Sequence, residues 1–328
     1  MSHVIKNFCL FLFIFFFFES FEMGETLKFG HKMVFIVLCA YIVGVDSKKS
    51  APSISELKCQ KYAEYSIELE TNFDSSISLK EGEAKCSNIT SINFEKLMKQ
   101  IEQNITNGTA AIPGLMKFPH MALIGYQDSK APKGIHWGCG GSLISESYIL
   151  TAARCLEEPM KYVLLGELDI GSDDDIARPT IYNITEKIIH PNYTKNQLYN
   201  DIALLKLNET IQIDEYVRPA CLHQMHEIKA QEAVATGWGE DADGRKNNHL
   251  QEVELELITF GNCSETYLKL NYTGLPYGID NETHLCAGSY SSAKDTCAGD
   301  GGGPLQIYHP TYKCMFELIG ITSFGSPK

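Results

Sequence analysis

From residue 105 onward the chain consists of short apolar segments separated by turns rich in Gly, Asn, Asp and Pro. The segments have the length and the β-branched content of strands: MALIGY, GSLISESYILTA, KYVLLGEL, IALLKL, AVATGWG, HLQEVELELI and LIGITSF. This spacing predicts an all-β fold, either an antiparallel barrel or a sandwich. Helical signals are few, namely a turn after Thr151 and the segment that follows Cys263.

Composition narrows the class of protein further. With 328 residues, 44% of them hydrophobic, the chain can bury one large domain and leave a smaller N-terminal piece. The formal net charge of −13 gives no overall positive field, which argues against a nucleic-acid or anionic-membrane partner. Soluble basic partners fit this charge better.

Cysteines and glycosylation sequons both indicate an oxidising secretory route. The chain holds 11 cysteines. Asn-X-Ser/Thr sequons are frequent, and we expect a secreted, extracellular glycoprotein. The sequon asparagines are Asn88, Asn104, Asn107, Asn183, Asn192, Asn208, Asn262, Asn271 and Asn281.

The N-terminal region divides into a leader and a spacer. Residues 1–47 hold two apolar stretches and are predicted to be a signal peptide, with Met33 as an alternative true start. A membrane anchor is the competing interpretation, but neither stretch reaches about 18 residues, so no membrane span is expected in the mature form. Residues 48–104 are polar and predict a short prodomain or spacer, in which Phe94–Ile101 could form a short helix.

Ordered motifs in residues 105–328 carry a family resemblance. They are ITNGTAAIPGLMKFPHMALIGY, WGCGGSLISESYILTAARC, NDIALLKL, YVRPACL, ATGWG, LCAG, DTCAGDGGGPL and GITSFG. In this order and at this spacing, the sequence resembles the trypsin/chymotrypsin-like serine proteases, and within them the catalytically inactive serine protease homologues of invertebrate haemolymph. The resemblance implies two antiparallel six-stranded β-barrels with a cleft between them.

The same resemblance assigns the three catalytic positions. Hydrolysis in this family needs a serine nucleophile, a histidine base and an orienting carboxylate. Here the histidine position is Arg154 and the serine position is Gly301, so only the acid, Asp201, remains. A guanidinium has no lone pair to accept a proton, and glycine has no nucleophile.

The sequence therefore predicts a secreted pseudoprotease that is not an enzyme. We expect it to bind or regulate proteins of an extracellular proteolytic cascade in innate immunity, melanization or clotting, with active proteases or their zymogen substrates as partners. The alternative is a trypsin-like serine endopeptidase, which Asp201, Asp295 and the overall resemblance keep open.

Further positions follow from the resemblance. The oxyanion loop would be Gly299, Asp300 and Gly301. The remnant of the specificity pocket would be Asp295, Ser323 and Gly325.

Activation is expected to fail at the site that the family uses. Active members are cut before the segment that matches Ile105, and the new amine pairs with the acid that matches Asp300. The preceding residue is Asn104 and not Arg or Lys. We therefore expect no processing there and a mobile segment over 295–303, with Asp300 lacking the ammonium partner.

The resemblance also implies disulfide pairs and a shortened barrel. It pairs Cys139 with Cys155, Cys263 with Cys286, and Cys221 with Cys59 or Cys86, and it leaves the partners of Cys297 and Cys314 open. The C-terminal part of the second barrel is apparently missing, which predicts an open strand edge.

No cofactor is expected, with one alternative. Glu167 and Asp169 lie where some relatives bind calcium, and oxygen-rich loops suit that cation. An acidic surface loop is the other interpretation of the same residues.

Overall fold

In the part of the chain that it describes, the computed structural model contains the two β-barrels that the sequence predicted and two α-helices. The described residues are 2–5, 53–74, 117–157, 159–172, 177–214, 216–225, 227–240, 244–270, 272, 274–288, 299–312 and 315–325. Their strands are β1 (Ser2–Ile5), β2 (Met121–Gln127), β3 (Ile135–Ser145), β4 (Tyr148–Thr151), β5 (Met160–Leu165), β6 (Thr180–Ile189), β7 (Ala203–Leu207), β8 (Cys221–Leu222), β9 (Glu232–Gly237), β10 (Gln251–Ile258), β11 (His284–Gly288), β12 (Pro304–Tyr308) and β13 (Phe316–Gly325). The α-helices are α1 (Ile54–Asp74) and α2 (Phe260–Leu270).

Six strands form the first barrel, which is closed in the order β2-β3-β4-β7-β6-β5. Every pairing around it is antiparallel. Its interior is filled by aliphatic side chains that are fully buried, among them Ile124, Leu143, Ile149, Val163 and Leu204. The all-β prediction is confirmed, because burial of these apolar segments drives the sheet to close.

The second sheet contains β1 and the strands after β7, in the order β1-β11-β10-β9-β12-β13-β8. Because β1 also pairs with β13, six of these strands form a ring, and β8 adds to β13 in parallel. We expected an open edge here, and that expectation is wrong for this structure. Ser2–Ile5 lies antiparallel between β11 and β13 and satisfies both edges. Whether residues 1–47 act as a leader stays a prediction.

Helix α1 was not predicted from the sequence. Its N-terminus is capped by Ser53, whose Oγ accepts the Glu56 N–H at 3.1 Å. Of its side chains at residues 54–64, the part whose burial the structure describes, Cys59, Tyr62 and Ala63 are buried. No described helix is both long enough and apolar enough to cross a bilayer.

An ion-pair cluster joins α1 to the first barrel. Glu146, in the β3–β4 turn, accepts hydrogen bonds from Lys58 Nζ at 2.9 Å and from the Tyr62 hydroxyl at 2.9 Å. Burial alone would raise the pKa of Glu146, but the hydrogen bonds from Lys58, the backbone and Tyr62 lower the pKa to about 2. The predicted helix at Phe94–Ile101 lies outside the described residues.

Candidate functional site

Arg154 lies in a short 3-10 turn, Ala153–Cys155, directly after β4. Its backbone N–H donates to Asp201 Oδ1 at 2.8 Å. Its Nε lies 3.4 Å from Asp201 Oδ2, so the two side chains form an ion pair within the first barrel, between the turn after β4 and the loop before β7. The Arg154 side chain is 37% exposed and the Asp201 side chain 1% exposed, so the guanidinium opens to solvent above a buried carboxylate.

Asp201 is held by hydrogen bonds from two separate elements. In addition to the Arg154 N–H, the hydroxyl of Ser323 on β13 donates to Asp201 Oδ2 at 2.6 Å. Ser323 is fully buried. These two donors provide hydrogen-bond partners for both oxygens of the buried carboxylate.

Gly301 completes the group, since the loop before β12 brings its α-carbon beside Arg154. A Cβ placed on Gly301 would lie 3.3 Å from Arg154 Nη2. The structure thus brings together the three residues that the sequence assigned to the catalytic positions. Neither a proton acceptor nor a hydroxyl is present at the Arg154 and Gly301 positions.

Backbone hydrogen bonds fix the loop that carries Gly301. The Gly301 carbonyl accepts the Gly140 N–H at 2.8 Å, and Gly302 N–H donates to the Thr322 carbonyl at 2.8 Å. Gly302 has φ +83°, and a Cβ there would clash with Thr151 and with the Gly140 carbonyl, so only glycine fits. Residues 299–303 are therefore tied to both barrels. The sequence predicted a mobile segment over 295–303. The hydrogen-bonded part, 299–303, does not fit that prediction, and residues 295–298 lie outside the described residues.

Asp300 turns away from the cleft. Its Oδ1 accepts the Gly239 N–H at 2.8 Å. Gly237 and Gly239 make room for this carboxylate, because a Cβ on either residue would overlap it. Ile105 and Asn104 lie outside the described residues, so the expected absence of an ammonium partner and of processing stays a prediction.

The cleft is bordered by Tyr193 and by an aromatic group that the sequence analysis did not single out. Burial, and then the charge of Asp201, raise the pKa of Tyr193 to about 12, so its phenol is neutral at physiological pH. Tyr199 stacks on His284 at 5.4 Å between ring centroids, and His284 meets Phe324 edge to face at 5.6 Å. Phe324 is part of the GITSFG motif, so the sequence could have indicated it as a residue of this site. Tyr199 and His284 meet only through folding.

Disulfides pin this site and α1. Cys139 pairs with Cys155, which fixes the turn that carries Arg154, and Cys263 pairs with Cys286. Of the two partners left open for Cys221, the structure joins it to Cys59. A nearby grouping of Cys59, Cys221 and His309 resembles a metal site only by proximity, because both cysteines are in this disulfide. Cys86, Cys297 and Cys314 lie outside the described residues.

The pocket remnant is only partly described. The Ser323 hydroxyl donates to Asp201 Oδ2, and the Gly325 carbonyl accepts a hydrogen bond from the Tyr272 hydroxyl at 3.0 Å. Asp295 lies outside the described residues. The structure therefore places two of the three predicted pocket residues and leaves the specificity pocket itself undescribed.

Glu167 and Asp169, the residues of the predicted calcium site, accept hydrogen bonds from backbone N–H groups of their own loop. Glu167 Oε1 accepts the N–H groups of Leu168 and Asp169, at 2.8 and 2.9 Å. Asp169 instead accepts the Gly171 N–H and contacts His249 Nε2 at 3.0 Å. Calcium binding by Glu167 and Asp169 stays a prediction.

The described sequon asparagines all lie on the surface. Asn183, Asn192, Asn208, Asn262 and Asn281 are each exposed. Their positions are therefore accessible to glycosylation, while the remaining sequons lie outside the described residues.

Comparison with known proteins identifies the family. Residues 105–328 match the family model described as Trypsin. The chain belongs to the trypsin family. This trypsin-family chain is 40% identical over 227 residues to "Serine protease snk" of Drosophila melanogaster, which covers 67% of this chain and 51% of that protein. It is 35% identical to "Venom serine protease Bi-VSP" of Bombus ignitus, over 67% of this chain and 61% of that protein.

A third relative has a name that refers to the activation of phenoloxidase. "Phenoloxidase-activating factor 1" of Holotrichia diomphalia is 33% identical, over 69% of this chain and 64% of that protein. The trypsin-family chain thus spans between half and two thirds of the length of these curated relatives.

Proposed function

We propose that this chain is a secreted, non-catalytic serine protease homologue that binds or regulates components of an extracellular proteolytic cascade. The observation that carries the proposal is the meeting of Arg154, Asp201 and Gly301. Of the three groups that acyl transfer requires, only the carboxylate is present. Removal of the nucleophile or the base alone costs about a million-fold in turnover in a comparable triad enzyme.

The disposition of Arg154 further supports a binding role. Its guanidinium is permanently charged and contacts the buried Asp201, so it replaces a titrating group with a fixed ion pair. The cleft keeps its shape, because the Cys139–Cys155 disulfide and the Ser323 hydrogen bond hold the same elements. A rigid cleft without a nucleophile can hold a polypeptide without cutting it.

The names of the relatives suggest the biological process in which the chain acts. Proteins named as a phenoloxidase-activating factor and as a clotting factor subunit are 32–33% identical to this chain. We therefore place the proposed partners among the active proteases and zymogens of melanization, innate immunity or clotting, outside the cell. The disulfides are consistent with that compartment.

The test of inactivity uses the purified secreted chain with a fluorophosphonate probe and a chromogenic peptide substrate. We expect neither labelling nor hydrolysis, because Gly301 offers no oxygen to phosphonylate. An active trypsin-family protease in the same buffer serves as the positive control. Labelling that maps to the cleft would overturn the proposal in favour of a trypsin-like endopeptidase.

The test of regulation adds the chain to a purified cascade protease and its zymogen substrate. We expect the rate of zymogen activation to change in proportion to the added chain, as measured by the product's activity. An unchanged rate with every protease and zymogen pair of the source haemolymph would contradict the regulatory role.

A further inference from the structure

We propose that the cleft at Arg154 and Gly301 binds the free C-terminal carboxylate of a cleaved polypeptide. The inference rests on the proposed non-catalytic function and names the ligand of that same cleft. Its basis is an exposed guanidinium at the place where the reacting group of a protease would stand.

The Arg154 guanidinium has N–H donors that no described residue accepts. Its Nε lies 3.4 Å from Asp201 Oδ2. Both carboxylate oxygens of Asp201 already accept other donors, namely the Arg154 N–H and the Ser323 hydroxyl. Among the described residues no other group accepts from the Arg154 side chain. Its two Nη groups are therefore open to a ligand, and their planar fork matches a carboxylate.

Gly301 supplies the space for such a ligand. Because it has no side chain, the position 3.3 Å from Arg154 Nη2 is empty of protein atoms. No described residue accepts the Gly301 N–H, so the same wall carries a second donor beside the guanidinium. An acceptor with two oxygens can use both.

Of the described charged and phenolic groups beside the cleft, Arg154 is the one that attracts a small anion. Tyr193 is neutral, since its pKa is raised to about 12 by burial and by Asp201. Glu157 is paired with Lys195 at 3.3 Å. The whole chain carries a formal charge of −13, which repels anions in general, so attraction of a carboxylate must come from Arg154 itself.

The chemistry selects cleaved chains. Before hydrolysis, a peptide presents a neutral amide at the scissile position, and after hydrolysis the new C-terminus presents a carboxylate. A cleft that binds the carboxylate through a guanidinium therefore distinguishes the product of a protease from its uncut substrate. In a cascade, this would direct the chain to activated or processed proteins.

The test compares two N-terminally fluorescein-labelled hexapeptides of one sequence that ends in arginine. One peptide is the free acid and the other is the C-terminal amide, and fluorescence anisotropy measures their affinity for the full chain. We expect the acid to bind about 10- to 100-fold more tightly, the range that charge-assisted hydrogen bonds provide. The amide carries the greater positive charge, so the overall acidity of the chain works against this result.

Two variants make the result specific. Arg154→Gln removes the guanidinium but keeps the backbone N–H to Asp201, and it should abolish the preference for the acid. Lys269→Gln removes the same charge from an exposed ion pair on α2 and should keep the preference. Circular dichroism verifies that both variants fold.

Equal affinities of acid and amide for the wild type would overturn the proposal, as would no binding of the acid up to about 1 mM. Loss of the preference in Lys269→Gln, or its survival in Arg154→Gln, would also overturn it. Failure of the proposed function is distinguished by the fluorophosphonate probe. Labelling refutes that function, whereas an unlabelled chain without carboxylate preference refutes only this inference.

Discussion

Arg154 Nη2 lies where it would be 3.3 Å from a Cβ on Gly301, so the guanidinium and the missing side chain are structurally matched. A side chain at residue 301 would crowd the arginine, and a shorter residue at 154 would leave Asp201 with one charge partner fewer. The two departures from the catalytic pattern therefore stabilise one arrangement together.

Restoration of the serine alone is expected to leave the chain inactive. Gly301→Ser supplies a hydroxyl, but Arg154 cannot accept its proton, so neither fluorophosphonate labelling nor peptide hydrolysis should rise above background. The added side chain also presses on Nη2, and we expect a small decrease in melting temperature. Gly301→Ala is the control for crowding without a hydroxyl. Labelling of Gly301→Ser at the rate of an active family member would refute this prediction.

Ser323→Ala should destabilise the fold. The substitution removes the 2.6 Å hydrogen bond to the buried Asp201 and leaves that carboxylate short of a donor. We expect a loss of about 1–3 kcal/mol in the free energy of unfolding, measured by urea denaturation. Ser147→Ala in the β3–β4 turn is the matched control, since Ser147 is only partly buried and belongs to no sequon. Equal unfolding midpoints for the two variants would show that the bond contributes nothing.

We expect the buried His120 to make the folded chain less stable in acid. Burial, with the charge of Arg218 acting in the same direction, lowers the pKa of His120 to about 3. Between pH 6.5 and about 3 the unfolded chain binds the proton and the folded chain does not. Stability therefore falls as the pH decreases through this window, by up to about 5 kcal/mol from this one group.

The measurement is urea denaturation from pH 7 to pH 4 for the wild type and His120→Leu. The variant lacks the buried imidazole, so its stability should depend less steeply on pH. His136→Leu, at an exposed position on β3, controls for loss of an ordinary histidine. Parallel pH profiles for wild type and His120→Leu would contradict the assignment.

The Cys59–Cys221 disulfide is expected to hold α1 in place against β8. With both cysteines changed to serine, α1 keeps the Glu146 contacts but loses its covalent tether. Limited trypsin digestion followed by mass spectrometry should then show faster cleavage at Lys58 and Lys61. The Cys263→Ser/Cys286→Ser variant, which breaks a disulfide at α2, should leave cleavage at these lysines unchanged. An unaltered digestion pattern in the first variant would mean that the noncovalent contacts suffice.

Local pattern predicted most of the fold. The apolar segments around Met121, Leu164, Leu204 and Ile319 became β2, β5, β7 and β13, because a short apolar run bounded by turn residues is visible within a single strand. Helix α1 escaped prediction, since it is anchored by Tyr62, a disulfide and Glu146 and not by an apolar stripe. The ring closure by β1 was also missed, because strand pairing across the whole chain leaves no local signal.

The sequence by itself determined which functional groups the cleft can contain. Arginine at 154 and glycine at 301 exclude a base and a nucleophile there, because these are properties of the side chains and do not depend on conformation. Only the tertiary structure decided that the guanidinium pairs with Asp201, borders Gly301 and keeps its Nη groups open. Those relations depend on distances between residues far apart in the chain, which packing and the Ser323 hydrogen bond set.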